Sequence, residues 1–148
     1  MVRVATFLFV LFLAGNGAAQ ERFATSKLSI VTAKGIQHFT VEIAETREQH
    51  AQGLMYRRRM AADAGMLFIY KTPQSASFWM KNTFIPLDML FIGVDGKIVN
   101  IQERTVPQSQ SPVRSKGPVL AILELNGGTT SRLGIKPGDE VRHTMFDK

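Results

Sequence analysis

No cysteine occurs anywhere in the 148 residues. That absence excludes disulfides, thiol nucleophiles, zinc–thiolate centres and a lipidated N-terminal cysteine. A chain without such staples must hold itself together by packing, and about 130 residues of mature protein suffice for a real core. No Gly-x-Ser-x-Gly nucleophile elbow is present, and no phosphate-cradling glycine loop. The three histidines, His38, His50 and His143, lack ligand spacing, so no metal site is expected from them. No cofactor is implied. Internal repeats are absent, and the composition carries no signature of disorder.

Long apolar runs are also scarce, with one exception at the start. Arg3 precedes an apolar stretch from Val4 to Leu13, broken only by Thr6, and Ala14 to Ala19 are mostly small residues. A positive n-region, an apolar h-region and Gly17 and Ala19 before the cut describe a secretory signal peptide over 1–19. The run is short for a bilayer span; the competing reading is an uncleaved anchor. Export to the periplasm or extracellular space follows from the first reading, with no stable membrane span after cleavage.

Acidic residues are outnumbered. Removing the leader takes Arg3 from the 18 basic residues and none of the 12 acidic ones, so the mature charge is +5. A basic surface favours anionic partners such as lipid headgroups or acidic polysaccharide. Nucleic acid is not expected, because no basic stripe is interleaved with aromatics. The densest cluster is Arg57-Arg58-Arg59, of which Arg58 and Arg59 read as a solvated loop at a helix end.

The pattern along the chain is mainly β. Residues 20–27 read as a flexible lead-in, and 28–148 as a single domain. Strands are expected at Leu28–Thr32, His38–Ile43, Gly65–Tyr70, Ser77–Lys81, Leu87–Val94, Lys97–Glu103, Val119–Asn126 and Glu140–Phe146. Asp95-Gly96 is a hairpin turn, and Arg104–Lys116 an exposed loop. Thr46-Arg47-Glu48-Gln49 is a capping box that should start one short helix, with Ala51, Leu54 and Met55 toward the core. One further helical turn fits Thr129–Leu133, ending at Gly134. Short strands with frequent turns and one helix predict a compact sandwich or barrel-like, jelly-roll-like domain.

Some polar residues do not fit a bland core. Strand alternation puts Asp88 on a face with Leu90 and Ile92, and Glu124 on a face with Leu120 and Ile122. A carboxylate on an apolar face is costly unless paired or hydrogen-bonded. The candidate partners are Arg57, Lys81, Asn82 and Thr83. One reading is a ligand pocket with Asp88 and Glu124 opposite Arg57 and Lys81, and Trp79 as an apolar wall. For Asp88 it gives Lys81 or Arg57 as counter-charge and Asn82 or Thr83 as donors. The other reading is structural, with ion pairs that fix strand register. Two carboxylates also admit glycosidase-type acid/base chemistry, whose diagnostic is their separation. Five methionines in the middle third admit Cu(I) binding, but they sit where methionine fills cores.

Several segments occur together and in order. They are Gly53-Leu54-Met55-Tyr56-Arg57, Gly65-Met66-Leu67-Phe68, Phe78-Trp79-Met80-Lys81-Asn82-Thr83 and Ile85-Pro86-Leu87-Asp88-Met89-Leu90-Phe91-Ile92. Asp95-Gly96-Lys97-Ile98, Leu123-Glu124-Leu125 with Gly127-Gly128, and Gly134 to Asp139 follow. On these segments the chain, over about Leu28 to Val141, resembles the bacterial and archaeal family called domain of unknown function number 192. The resemblance implies a mainly-β, sandwich-like, often exported domain and supplies no function. It puts the family's motif residues at Arg57, Trp79, Lys81, Asn82, Asp88 and Glu124.

Three functions compete. The first is a monomeric binding module of the cell envelope for a small molecule or anionic polymer, using Arg57, Trp79, Lys81, Asn82, Asp88 and Glu124. The second is a small hydrolase or lyase using Asp88 and Glu124, and the third a structural or assembly accessory without a ligand. The leader carries its own test. Mass spectrometry of the mature protein should give an N-terminus at Gln20; Met1 retained in a membrane fraction would refute cleavage.

Overall fold

The computed structural model describes residues 21–147. The leader expected over 1–19 lies outside the described residues. Nine strands and two short helices follow in order: β1 (Ala24–Thr32), β2 (Gly35–Ala44), α1 (Arg47–Gln52), β3 (Ala64–Gln74), β4 (Ser77–Phe78), β5 (Leu87–Ile92), β6 (Ile98–Gln102), β7 (Val113–Arg114), β8 (Val119–Asn126), α2 (Thr129–Leu133) and β9 (Glu140–Arg142). A 3-10 turn at Thr144–Phe146 ends the described chain. The architecture is mainly β, as the strand pattern predicts. Seven strands in the order β6-β5-β8-β3-β2-β1-β9 form one sheet, curled into a half-barrel. Its pairs are antiparallel except β2–β3, which run parallel with α1 between them. β4 and β7 make a separate two-stranded ribbon.

The curl brings the two edge strands together at one end. Lys97, just before β6, bridges Glu140 of β9. Ile98 N–H donates to Asp139 O at 3.0 Å, Gly138 N–H to Ile98 O at 2.8 Å, and Val141 N–H to Gly96 O at 2.8 Å. Inside the curl lies one apolar cluster, with Leu28, Ile30, Phe39, Val41, Leu67, Leu90, Leu123 and Val141. A second cluster lies on the outer face of β3, β5 and β8, where Met66, Phe68, Met89, Phe91 and Ile122 meet Leu54, Ala76 and Met80. The central strands are therefore covered on both sides, which explains why Leu87–Ile92 is fully buried and reads as a continuous apolar run.

Local sequence explains the short elements. Thr46 accepts from Gln49 N–H and the Gln49 side chain reaches back to the cap, so the capping box forms as its spacing requires. Several expectations need correction. The lead-in is docked from Ala24 onward, because Ala24–Lys27 continues β1 against Thr40–Ile43 of β2. Ala51 is exposed, since α1 is only six residues long and buries none of its own side chains. The strand expected over 77–81 stops at Phe78, because Asn82 takes a left-handed φ of 54° and Thr83 N–H turns back to Met80 O. The ribbon strand that β4 pairs with, β7, lies within the stretch whose prolines and serines read as loop. Among the described residues no helix is long and apolar enough to cross a membrane.

Candidate functional site

Asp88 and Glu124 sit on adjacent strands but point to opposite faces of the sheet. The register pairs Asp88 with Leu125 and Met89 with Glu124. Leu125 belongs to the inner cluster and Met89 to the outer one. Cross-strand partners share a face, so Asp88 is on the inner face and Glu124 on the outer. The two carboxyls do not face a common cleft, and an acid/base pair between them has no geometric basis.

The inner carboxyl is a structural knot. Asp88 is fully buried. Its Oδ1 accepts from Arg104 N–H and Gly128 N–H, both at 2.8 Å. Its Oδ2 accepts from Thr130 N–H at 2.8 Å and from the Thr130 hydroxyl at 2.7 Å. Four donors thus saturate both oxygens with no cation among them, and the expected pairing with Lys81 or Arg57 does not occur. α2 explains the arrangement. Its N-cap is Gly128, which has no side chain to cap with, so Asp88 supplies the acceptor from across the sheet. Glycine is required there. Gly128 has φ of 88°, and a Cβ on it would lie 3.0 Å from the Arg104 guanidinium; one on Gly127 would lie 3.0 Å from Pro86.

The other predicted residues scatter. Arg57 pairs with Glu42 on β2, beside a surface depression that includes Met60 and Asp63. Lys81 is exposed, with its ammonium 5.3 Å from the centre of the Trp79 ring. Asn82 donates to the Tyr56 hydroxyl at 3.0 Å and accepts from Tyr56 N–H at 2.8 Å. It therefore ties the chain after α1 to the motif strap. Thr83 is buried, and its hydroxyl donates to Lys81 O, not to Asp88.

Glu124 and Trp79 do come together. A cavity of about 270 Å³ lies between α1, the strap at Ser77–Thr83 and the outer face of the sheet. His50, Phe68, Tyr70, Phe78 and Trp79 supply its aromatic walls, and Leu54, Met55 and Thr83 also line it. The rings brace one another edge to face: His50 on Phe68 and Tyr70, and Phe68 on Phe78. His50 Nε2 lies 2.9 Å from Ala44 O and acts as donor there, fixing the ring. Trp79 is half exposed at the rim. Glu124 is 4% exposed and forms the floor. Among the described residues no side chain or backbone N–H donates to its carboxyl, and burial alone pushes it up to about 8. Its lateral neighbours on β3 and β5 are Met66 and Met89, which offer no charge. Burial also raises the Tyr70 hydroxyl, partly offset by Gln74.

Sequence reasoning finds the floor and one wall of this pocket and misses His50, Phe68, Tyr70 and Phe78. Alternation along β3 does put Met66, Phe68 and Tyr70 on one face. That this face is Glu124's is a matter of inter-strand register. Among the described residues no three His, Asp or Glu side chains assemble as metal ligands.

Comparison with known proteins fits this geometry to a family. The family model DUF192, described as "Uncharacterized ACR", matches residues 29–143. A solved structure from Sinorhizobium meliloti 1021, described as a "putative transcription regulator", is 45% identical, with a TM-score of 0.82 over 86% of this chain and 99% of its own. A protein of unknown function from Novosphingobium aromaticivorans DSM 12444 is 39% identical, with a TM-score of 0.80 over 85% of this chain and 94% of its own. No curated protein matches.

Two stability measurements separate the carboxyls. Asp88→Ala strands four donors, two of them buried, and should cost about 3 kcal/mol or more in denaturant unfolding. Asp88→Asn should cost nearly as much, since its amide nitrogen faces donors; an Asn variant of wild-type stability would refute the knot. Glu124 behaves oppositely. The unfolded chain releases its proton near 4.5 and the folded one near 8, so the folded state binds more protons between those values. This group therefore makes stability fall as pH rises across that window and level off above it. Glu124→Gln removes that slope. The variant should match wild type near the lower limit and exceed it by about 3 to 5 kcal/mol near pH 8; a Gln variant less stable than wild type at pH 8 would show that the carboxylate has a partner.

Proposed function

The chain belongs to the DUF192 family, and we propose that it is a binding module for a small ligand, held in the aromatic pocket over Glu124. One observation carries the reading. Glu124, 4% exposed, receives no hydrogen bond from any described residue, yet no side-chain oxygen among these residues is both enclosed and unbonded, so its carboxyl opens into the cavity. Buried polar groups are partnered as a rule. A ligand in the cavity would supply that partner. The cavity is at the small end of the range for ligand sites, which favours a small molecule over a polymer chain. Export, as the leader reading has it, would place the pocket in the periplasm or outside the cell.

In this reading the site is His50, Phe68, Tyr70, Phe78, Trp79 and Glu124. Asp88 supports the sheet beneath it, Asn82 holds the strap that carries Trp79, and Arg57 and Lys81 lie outside the cavity. The braced rings make the pocket preformed, so little side-chain ordering opposes binding.

A thermal-shift screen of small-molecule fragments tests the reading. A ligand at about a hundredfold over its Kd stabilises the native state by about 2.7 kcal/mol. Ala51 lines the cavity yet is exposed, so Ala51→Trp should fill the pocket and leave the fold intact. The expected outcome is a set of hits that shift wild type and not Ala51→Trp. A screen without hits, or hits that shift both proteins alike, would refute the pocket as a site.

A further inference from the structure

We propose that the pocket takes a small organic cation, an alkylammonium group seated over Glu124 with its carbons against the aromatic walls. This rests on the reading of the pocket as a ligand site. The floor offers a carboxyl, and no lysine or arginine among the described residues lines the cavity. The basic side chains of the motif segments are engaged elsewhere: Arg57 with Glu42, Arg58 over the Phe84 ring at 5.7 Å, and Lys81 over Trp79 outside the cavity. The walls complement the floor. Ring faces carry negative charge density and attract cations, most strongly once water is excluded, and tryptophan is the best of them. Lys81 already makes such a contact with Trp79.

Alternative ligands fit less well. An anion would meet π faces throughout and, above about pH 8, a carboxylate as well, both repulsive. A neutral acceptor would be held equally well by a glutamine, which carries no ionisation cost. A cation makes use of the charge itself.

The pocket's surroundings add a signature. The other titratable groups lining the cavity are His50 from α1 and Tyr70 from β3. The cross-strand neighbours of Glu124 are Met89 on β5 and Met66 on β3, and Glu42 on β2 lies beyond Met66 and is paired with Arg57. No lysine, arginine or second carboxylate among the described residues lines the cavity with it. Since burial holds the Glu124 proton up to about 8, a cation must displace that proton. Apparent affinity should then rise about tenfold per pH unit below that value and level off above it, because only the ionised fraction is competent.

The experiment titrates the full mature protein with choline, with its uncharged isostere 3,3-dimethylbutan-1-ol, and with 3,3-dimethylbutanoate. Binding is followed by Trp79 indole chemical shift and by calorimetry in two buffers, which counts released protons. The expected result is choline binding at least tenfold tighter than the alcohol near pH 8.5, weakening toward pH 6 with about one proton released on binding. Glu124→Gln should lose that preference and the pH slope while keeping any affinity for the alcohol. Phosphatidylcholine vesicles form a separate arm: capture that free choline competes away assigns the ammonium to a lipid headgroup, and choline binding without capture assigns it to a free ligand. The alcohol or the carboxylate binding as tightly as choline, a pH-independent choline affinity, or no choline signal at pH 8.5 would overturn the cation. Those outcomes leave the pocket itself to be judged by the Ala51→Trp comparison.

Discussion

Two strands at the centre of this sheet carry a core on each face, and every polar side chain on them must find its partners inside the fold or in something bound to it. β5 is buried at all six positions, and β8 at six of its eight. Inside those cores water is not at hand to solvate a carboxylate. Asp88 meets the constraint from within, with four donors drawn from the ends of two distant segments. Glu124, one strand over and on the other face, does not. The contrast between these two acids, alike in type and burial, separates scaffold from candidate site.

The tryptophan-bearing motif serves both sides of that division. Met80 is buried in the outer cluster, and its N–H donates to Ser109 O. Thr83 O accepts from Gln108 N–H, and Asn82 holds Tyr56. The strap is thereby fixed along its length to the layer over the sheet. Trp79, between the anchored Phe78 and Met80, is left facing the rim. A run of unusual residues in a sequence can thus be mostly anchorage for one exposed side chain.

How much was legible follows from whether the governing interaction is local. The capping box at Thr46, the bounds of β8 and the turn at Thr129–Gly134 are decided by neighbours in the chain, and sequence places them correctly. Alternation likewise puts Asp88 and Glu124 on buried faces. Which face each occupies depends on how β5 and β8 align, and on which layer covers them. Those are pairings between residues some forty positions apart, as Asp88 with Thr130, and charge and spacing do not encode them. The expected attraction to Arg57 and Lys81 fails for that reason. Three backbone donors and a hydroxyl, invisible to a charge-based reading, are the real partners of Asp88. The strand assigned to Ser77–Lys81 fails on a left-handed residue, Asn82, a conformation asparagine tolerates better than most side chains.

The seam between the sheet's two edges has a consequence for biosynthesis. β9 is the last of the described strands, yet it pairs with β1, the first of them, and its Glu140 and Val141 also bond the segment before β6. The seam cannot close until β9 has left the ribosome. Loop closure over such separations is slow compared with local contacts. A nascent chain of this kind keeps its seam open until more than a hundred residues after β1 have been added.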